Sequence, residues 1–98
     1  MKIEDWRAEI DAIDQKLLRL MNRRAQLAVE VGALKKAVGI PILDPDRERD
    51  VLRRMCDENH GPLDERAVVK LFRRIIFESK KVETRMTEAP AAARKELL

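Results

Sequence analysis

Apolar side chains recur along the first third of the chain at a strict three-four spacing. Ile3, Trp6, Ile10, Ile13, Leu17, Leu20, Leu27, Val31, Leu34 and Val38 share one stripe, interrupted only by Arg24. That period predicts a single long amphipathic helix. Gly39, Ile40 and Pro41 stop it, because glycine accepts the left-handed cap and a residue before proline avoids helical angles. At ~1.5 Å per residue the rod is roughly 50 Å long, too long for a compact chain of this size, whose radius of gyration would be about 13 Å. Two chains lying along each other would cover the stripe.

Asp44-Pro45-Asp46-Arg47-Glu48 reads as a second helix start, with Asp44 as N-cap, Pro45 in the first turn and acids facing the positive dipole end. Val51, Leu52 and Met55 give it a short apolar face, and Asn59-His60-Gly61-Pro62 ends it. Asp64 then caps a third helix in which Val68, Leu71, Phe72, Ile75, Ile76, Ser79, Val82, Glu83 and Met86 recur at helical spacing. The expectation is an all-α chain of three helices, with residues 1–86 as one domain and residues 87–98, Ala-rich, charged and carrying Pro90, as a mobile tail.

Composition bears on how such a chain is stabilised. A 98-residue domain buries only about 60–65% of its unfolded surface, and Cys56 is the single cysteine, so no internal disulfide is available. Oligomerisation is the remaining support. The net charge of +3 comes from 21 basic and 18 acidic residues mixed along the chain, which opposes a continuous phosphate-binding face. Two Phe, one Trp and no Tyr give no set for stacking single-stranded bases. Nucleic-acid binding is therefore not expected. The first twenty residues carry nine charges, excluding a signal core or membrane span there, and a cytoplasmic location is expected.

The polar residues on apolar faces carry the candidate chemistry. Arg24 stands in the stripe, and Lys35, eleven residues on, returns to within about 20° of the same face. Between them Ala28 and Gly32 leave room beside the helix. Gly32 costs about 1 kcal/mol relative to Ala in a helix, so something must approach closely. Arg24 either meets a ligand or is paired with an acid at a tight crossing. Ser79 and Glu83 similarly prolong the inner face of the third helix, and their commoner fates are a bond to the preceding turn and a lysine partner. His60 sits in a turn without a second histidine, and neither it nor Cys56 suits a catalytic or metal role. No phosphate loop or Ser/His/Asp set is present.

Arg7, the segment from Arg24 through Gly32 to Lys35, the run Asp44 to Arg49, and Ser79 with Glu83 together resemble the all-helical type of chorismate mutase over about residues 4–86. The resemblance implies an intertwined homodimeric helical bundle with two sites, each built from both chains. It also implies an isomerase of aromatic amino acid biosynthesis that rearranges the small dianion chorismate to prephenate, without metal, cofactor or covalent intermediate. Arg24 and the partner's Arg7 would clamp carboxylate. Lys35 would donate to the ether oxygen and a carboxylate, while Asp44, through its backbone, and Ser79 would hold the other. Glu48 would accept from the ring hydroxyl, and Arg47 would support the site. Glu83 stands where bacterial members often carry glutamine, so it would have to be protonated to donate to the ether oxygen.

Two other readings remain. An isochorismate pyruvate-lyase shares the fold, but Lys35 and the Asp46-Arg47-Glu48 run favour the mutase. A helical dimerisation or nucleic-acid module is suggested by the heptad-like stripe and an isoelectric point near 9.3, and opposed by Arg24 and the mixed charge. No regulatory domain is expected, and docking to another pathway enzyme is left open.

Overall fold

The computed structural model describes residues 2–88. They form three helices in the order α1 (Ile3–Val38), α2 (Pro45–Glu58) and α3 (Glu65–Glu88). The stops read from the sequence act through specific bonds. Gly39 adopts φ 77°, its N–H donates to the Lys36 carbonyl at 3.3 Å, and Ile40 N–H donates to the Lys35 carbonyl at 2.8 Å. This Schellman closure satisfies two carbonyls that the helix end would leave open. Asp44 Oδ1 accepts from Arg47 N–H at 3.1 Å with Pro45 opening α2, and Asp64 Oδ1 accepts from Ala67 N–H at 2.7 Å below the start of α3. In the turn between them, Asn59 donates to the Leu63 carbonyl at 2.7 Å and accepts from Gly61 N–H.

Both other helices pack on α3. Along the α1–α3 contact the two chain directions agree: Arg24 meets Ser79, and Lys36 donates to the Thr87 carbonyl at 2.8 Å. The core is small, comprising Val29, Val51, Val68, Ile76 and Met86 with the polar Ser79, Glu83 and Thr87. Thr87 Oγ1 donates to the Glu83 carbonyl at 2.8 Å. The last turn of α3 thus extends two residues beyond Met86, where the tail was expected to begin; residues 89–98 of that expected tail lie outside the described residues.

The N-terminal part of α1 projects alone. From residue 2 to residue 23 every position is exposed, including Trp6 at 51%, Ile13 at 54% and Leu17 at 50%. The molecule accordingly measures 54 × 31 × 14 Å with a radius of gyration of 16.6 Å, well above the ~13 Å of a compact chain this long. No helix among the described residues is long and apolar enough to cross a membrane.

Candidate active site

Where α1 and α2 diverge on either side of α3, a cavity of about 320 Å³ opens. Its apolar lining comes from Leu27, Ala28, Val31, Ile42, Val51 and Ile76. Into it face Arg24 and Lys35 from α1, Asp44, Arg47 and Glu48 from the start of α2, and Ser79, Lys80 and Glu83 from α3. Seven of the eight residues singled out in the sequence thus share one space. Arg7 does not: it stands on the free arm of α1, seventeen residues before Arg24, or about 26 Å along a helix.

Each polar side chain is held by its element. Arg24 Nη1 donates to Ser79 Oγ at 2.8 Å, a neutral partner, so the acid pairing open at Arg24 is not what the fold uses. Burial, and then the neighbouring Arg47 charge, hold the Arg24 pKa below the usual guanidinium value. Two cations lining one concave site favour an anion there. Ser79 is 5% exposed and its hydroxyl serves Arg24. Lys35 Nζ lies 3.8 Å from Asp44 Oδ2, while the other carboxylate oxygen of Asp44 caps α2.

Glu83 is 7% exposed. Burial raises the pKa of its carboxyl above the usual range, against the opposing pull of Lys35 and Lys80. Neither ammonium is in ion-pair contact with it among the described residues. Gly32 explains how the side chain reaches its position: a Cβ there would lie 2.5 Å from Glu83 Cγ and 2.8 Å from Oε1, so only glycine lets the carboxyl lie against the α1 backbone. The close approach expected at Gly32 is therefore made by Glu83.

Lys80 escaped the sequence reading. Its ammonium forms an ion pair with Glu48 Oε1 across the α2–α3 gap. Placed three before Glu83 and four after Ile76, it shares the inner edge of α3, but a lysine beside an apolar stripe reads as a solvated flank. His60 is exposed, Cys56 half-buried, and neither lines the cavity.

The cavity therefore carries four cations and three carboxyl groups, one of them biased toward its neutral form. Cations thus outnumber carboxyl groups by one, and the raised pKa of Glu83 tilts the balance further toward positive, which suits an anionic ligand. The sequence profile of the family described as chorismate mutase type II matches residues 6–84. The chain belongs to this family.

Among similar proteins, the chorismate mutase of Methanocaldococcus jannaschii is 37% identical over 90 residues, covering 89% of each chain. The bifunctional chorismate mutase/prephenate dehydratase of Neisseria gonorrhoeae is 45% identical over 83 residues. That match takes in 85% of this chain, which spans only 22% of the larger protein. Similar solved structures include the Form II chorismate mutase from Thermus thermophilus, with a TM-score of 0.83, 35% identity, and coverage of 87% of this chain and 97% of that one. The Helicobacter pylori chorismate mutase, solved in complex with prephenate, aligns with a TM-score of 0.77 and 28% identity over 85% of this chain and 90% of that one.

Proposed function

We propose that this chorismate mutase family member is an isomerase that rearranges chorismate to prephenate, acting as a homodimer in which each site draws on both chains. The observation that carries the reading is the cavity gathering Arg24, Lys35, Arg47 and Ser79 around an apolar wall beside a buried Glu83 whose carboxyl pKa burial raises. A rearrangement of this kind is intramolecular: the ether C–O bond breaks as a C–C bond forms between the enolpyruvyl methylene and the ring. No proton enters or leaves, and no co-reactant is consumed. The protein's work is to hold one folded conformer and to stabilise charge on the ether oxygen as the bond opens.

The residues divide that work by chemistry. Arg24, its fork oriented by Ser79, grips one carboxylate. Lys35, steadied by Asp44, donates to the ether oxygen and a carboxylate, and Asp44, through its backbone, and Ser79 help hold the other. Arg47 adds its charge at the start of α2, where the free N–H groups also favour an anion. Glu48 accepts from the ring hydroxyl. Glu83, protonated, donates to the ether oxygen, a donor that strengthens as charge grows there.

The projecting arm of α1 supports the dimer. Its stripe from Ile3 to Leu20 is half-exposed or more, and burying such side chains contributes roughly 1–2 kcal/mol each. On this reading the partner's Arg7 closes the cavity, and the catalytic unit ends with α3. The test is to add chorismate to the purified protein, follow its ultraviolet absorbance and identify the product by NMR. Prephenate is expected. Unchanged chorismate, or pyruvate released from isochorismate instead, would overturn the assignment.

A further inference from the structure

We propose that Lys80 is a positioning residue of this site: its ammonium holds the Glu48 carboxylate across the gap between α2 and α3 and supplies positive charge facing Glu83. Three observations carry this. Lys80 and Glu48 both line the cavity and form an ion pair joining two helices whose sequence separation is 32 residues. Both side chains are partly shielded, Lys80 at 27% and Glu48 at 37% exposure, so the pair is not a freely solvated one. Lys80 also stands one turn before Glu83 on α3 and acts on its charge together with Lys35.

Without Lys80 the Glu48 carboxylate would stand unneutralised in a site that must admit a dianion. The cavity's positive surplus would fall by one, and Glu48 would lose the contact that aims it inward. The groups facing Glu83 are Lys35 and the Gly32 backbone from α1, Lys80 from α3, and, across the cavity, Asp44, Arg47 and Glu48 from the start of α2. Arg24 completes the ring. Of the two lysines that oppose protonation of Glu83, Lys80 is the one not engaged with Asp44. Removing it weakens substrate binding through Glu48, yet keeps Glu83 protonated to higher pH. A simple tie between helices predicts neither effect.

This inference rests on the mutase reading, so the experiment includes a readout that needs no turnover. Carbon-13 NMR titration of labelled glutamate carboxyls is run on wild type, Lys80→Met, which keeps the aliphatic stem, and Lys80→Arg, which keeps the charge. Steady-state kinetics across pH are measured on the same proteins. The expected result for Lys80→Met is a higher midpoint for Glu83, a KM raised roughly five-fold through the loosened Glu48 side chain, and an alkaline limb moved to higher pH. Lys80→Arg should return all three toward wild type. An unmoved Glu83 midpoint in folded Lys80→Met protein, whatever its thermal stability, would reduce Lys80 to a surface tie and overturn the proposal. If wild type leaves chorismate unchanged, the mutase reading falls, while the Glu83 midpoint still decides whether the Lys80 charge acts on that carboxyl.

Discussion

A buried carboxyl flanked by two ammonium groups is pulled in opposite directions, and at Glu83 burial prevails over Lys35 and Lys80. A pKa raised in the folded state means that the proton is bound more tightly folded than unfolded. The stability it contributes is fully present below the ordinary glutamate pKa and is lost as pH rises through the folded value. Denaturant midpoints of wild type should therefore fall across the window just above the ordinary carboxylate range, relative to those of Glu83→Gln, which cannot ionise. Catalysis should follow the same proton. Wild-type kcat/KM should be highest in mildly acidic buffer, and Glu83→Gln, with a permanent N–H donor, should flatten the profile; identical profiles would remove Glu83 as the donor. Arg24→Ala and Lys35→Ala should lose far more activity than stability. Each removes a charge-assisted contact worth about 3 kcal/mol or more in the transition state, whereas the lost Arg24–Ser79 bond costs folding about 1 kcal/mol. Arg24→Ala that unfolds early yet keeps wild-type activity per folded dimer would make Arg24 structural.

The α1–α3 contact depends on what α1 lacks. Gly32 forgoes about 1 kcal/mol of helix propensity so that Glu83 can occupy the space a Cβ would fill. Gly32→Ala should therefore destabilise by ~1–3 kcal/mol despite its better propensity, but become neutral or stabilising when combined with Glu83→Ala. Denaturant melts of the four proteins close that cycle, and an unconditional gain from Gly32→Ala would place the crowding elsewhere. Much of this contact was legible beforehand, because an arginine interrupts an otherwise apolar stripe and a glycine inside the same helix costs propensity that something must offset. The three helix ends were legible for a similar reason: glycine and aspartate act there through backbone bonds that need no distant partner. Lys80 and Thr87 were not. A lysine at the edge of an apolar face and a threonine before an Ala-rich charged stretch break no local rule, and their roles arise only when α2 and α1 arrive beside α3.

At the scale of the molecule, one chain leaves a long apolar stripe exposed that the proposed dimer would cover. More than half of α1 is exposed, while its exposed stripe is as regular as any buried one. Unfolding should be a single transition whose midpoint rises with protein concentration, the mark of a dimer without a stable monomer. The separation of Arg7 from Lys35, 28 residues or about 42 Å along α1, forbids one chain from presenting both to a small ligand. The measurement that bears most directly on this account is complementation between two inactive chains. Arg7→Ala and Lys35→Ala proteins are unfolded together, refolded as a mixture, and assayed for prephenate formation. Each mixed dimer then holds one site with both residues intact and one lacking both, so random pairing should restore about a quarter of wild-type activity where either parent alone shows almost none. Mixed dimers that form and stay as inactive as their parents would contradict a site shared between chains.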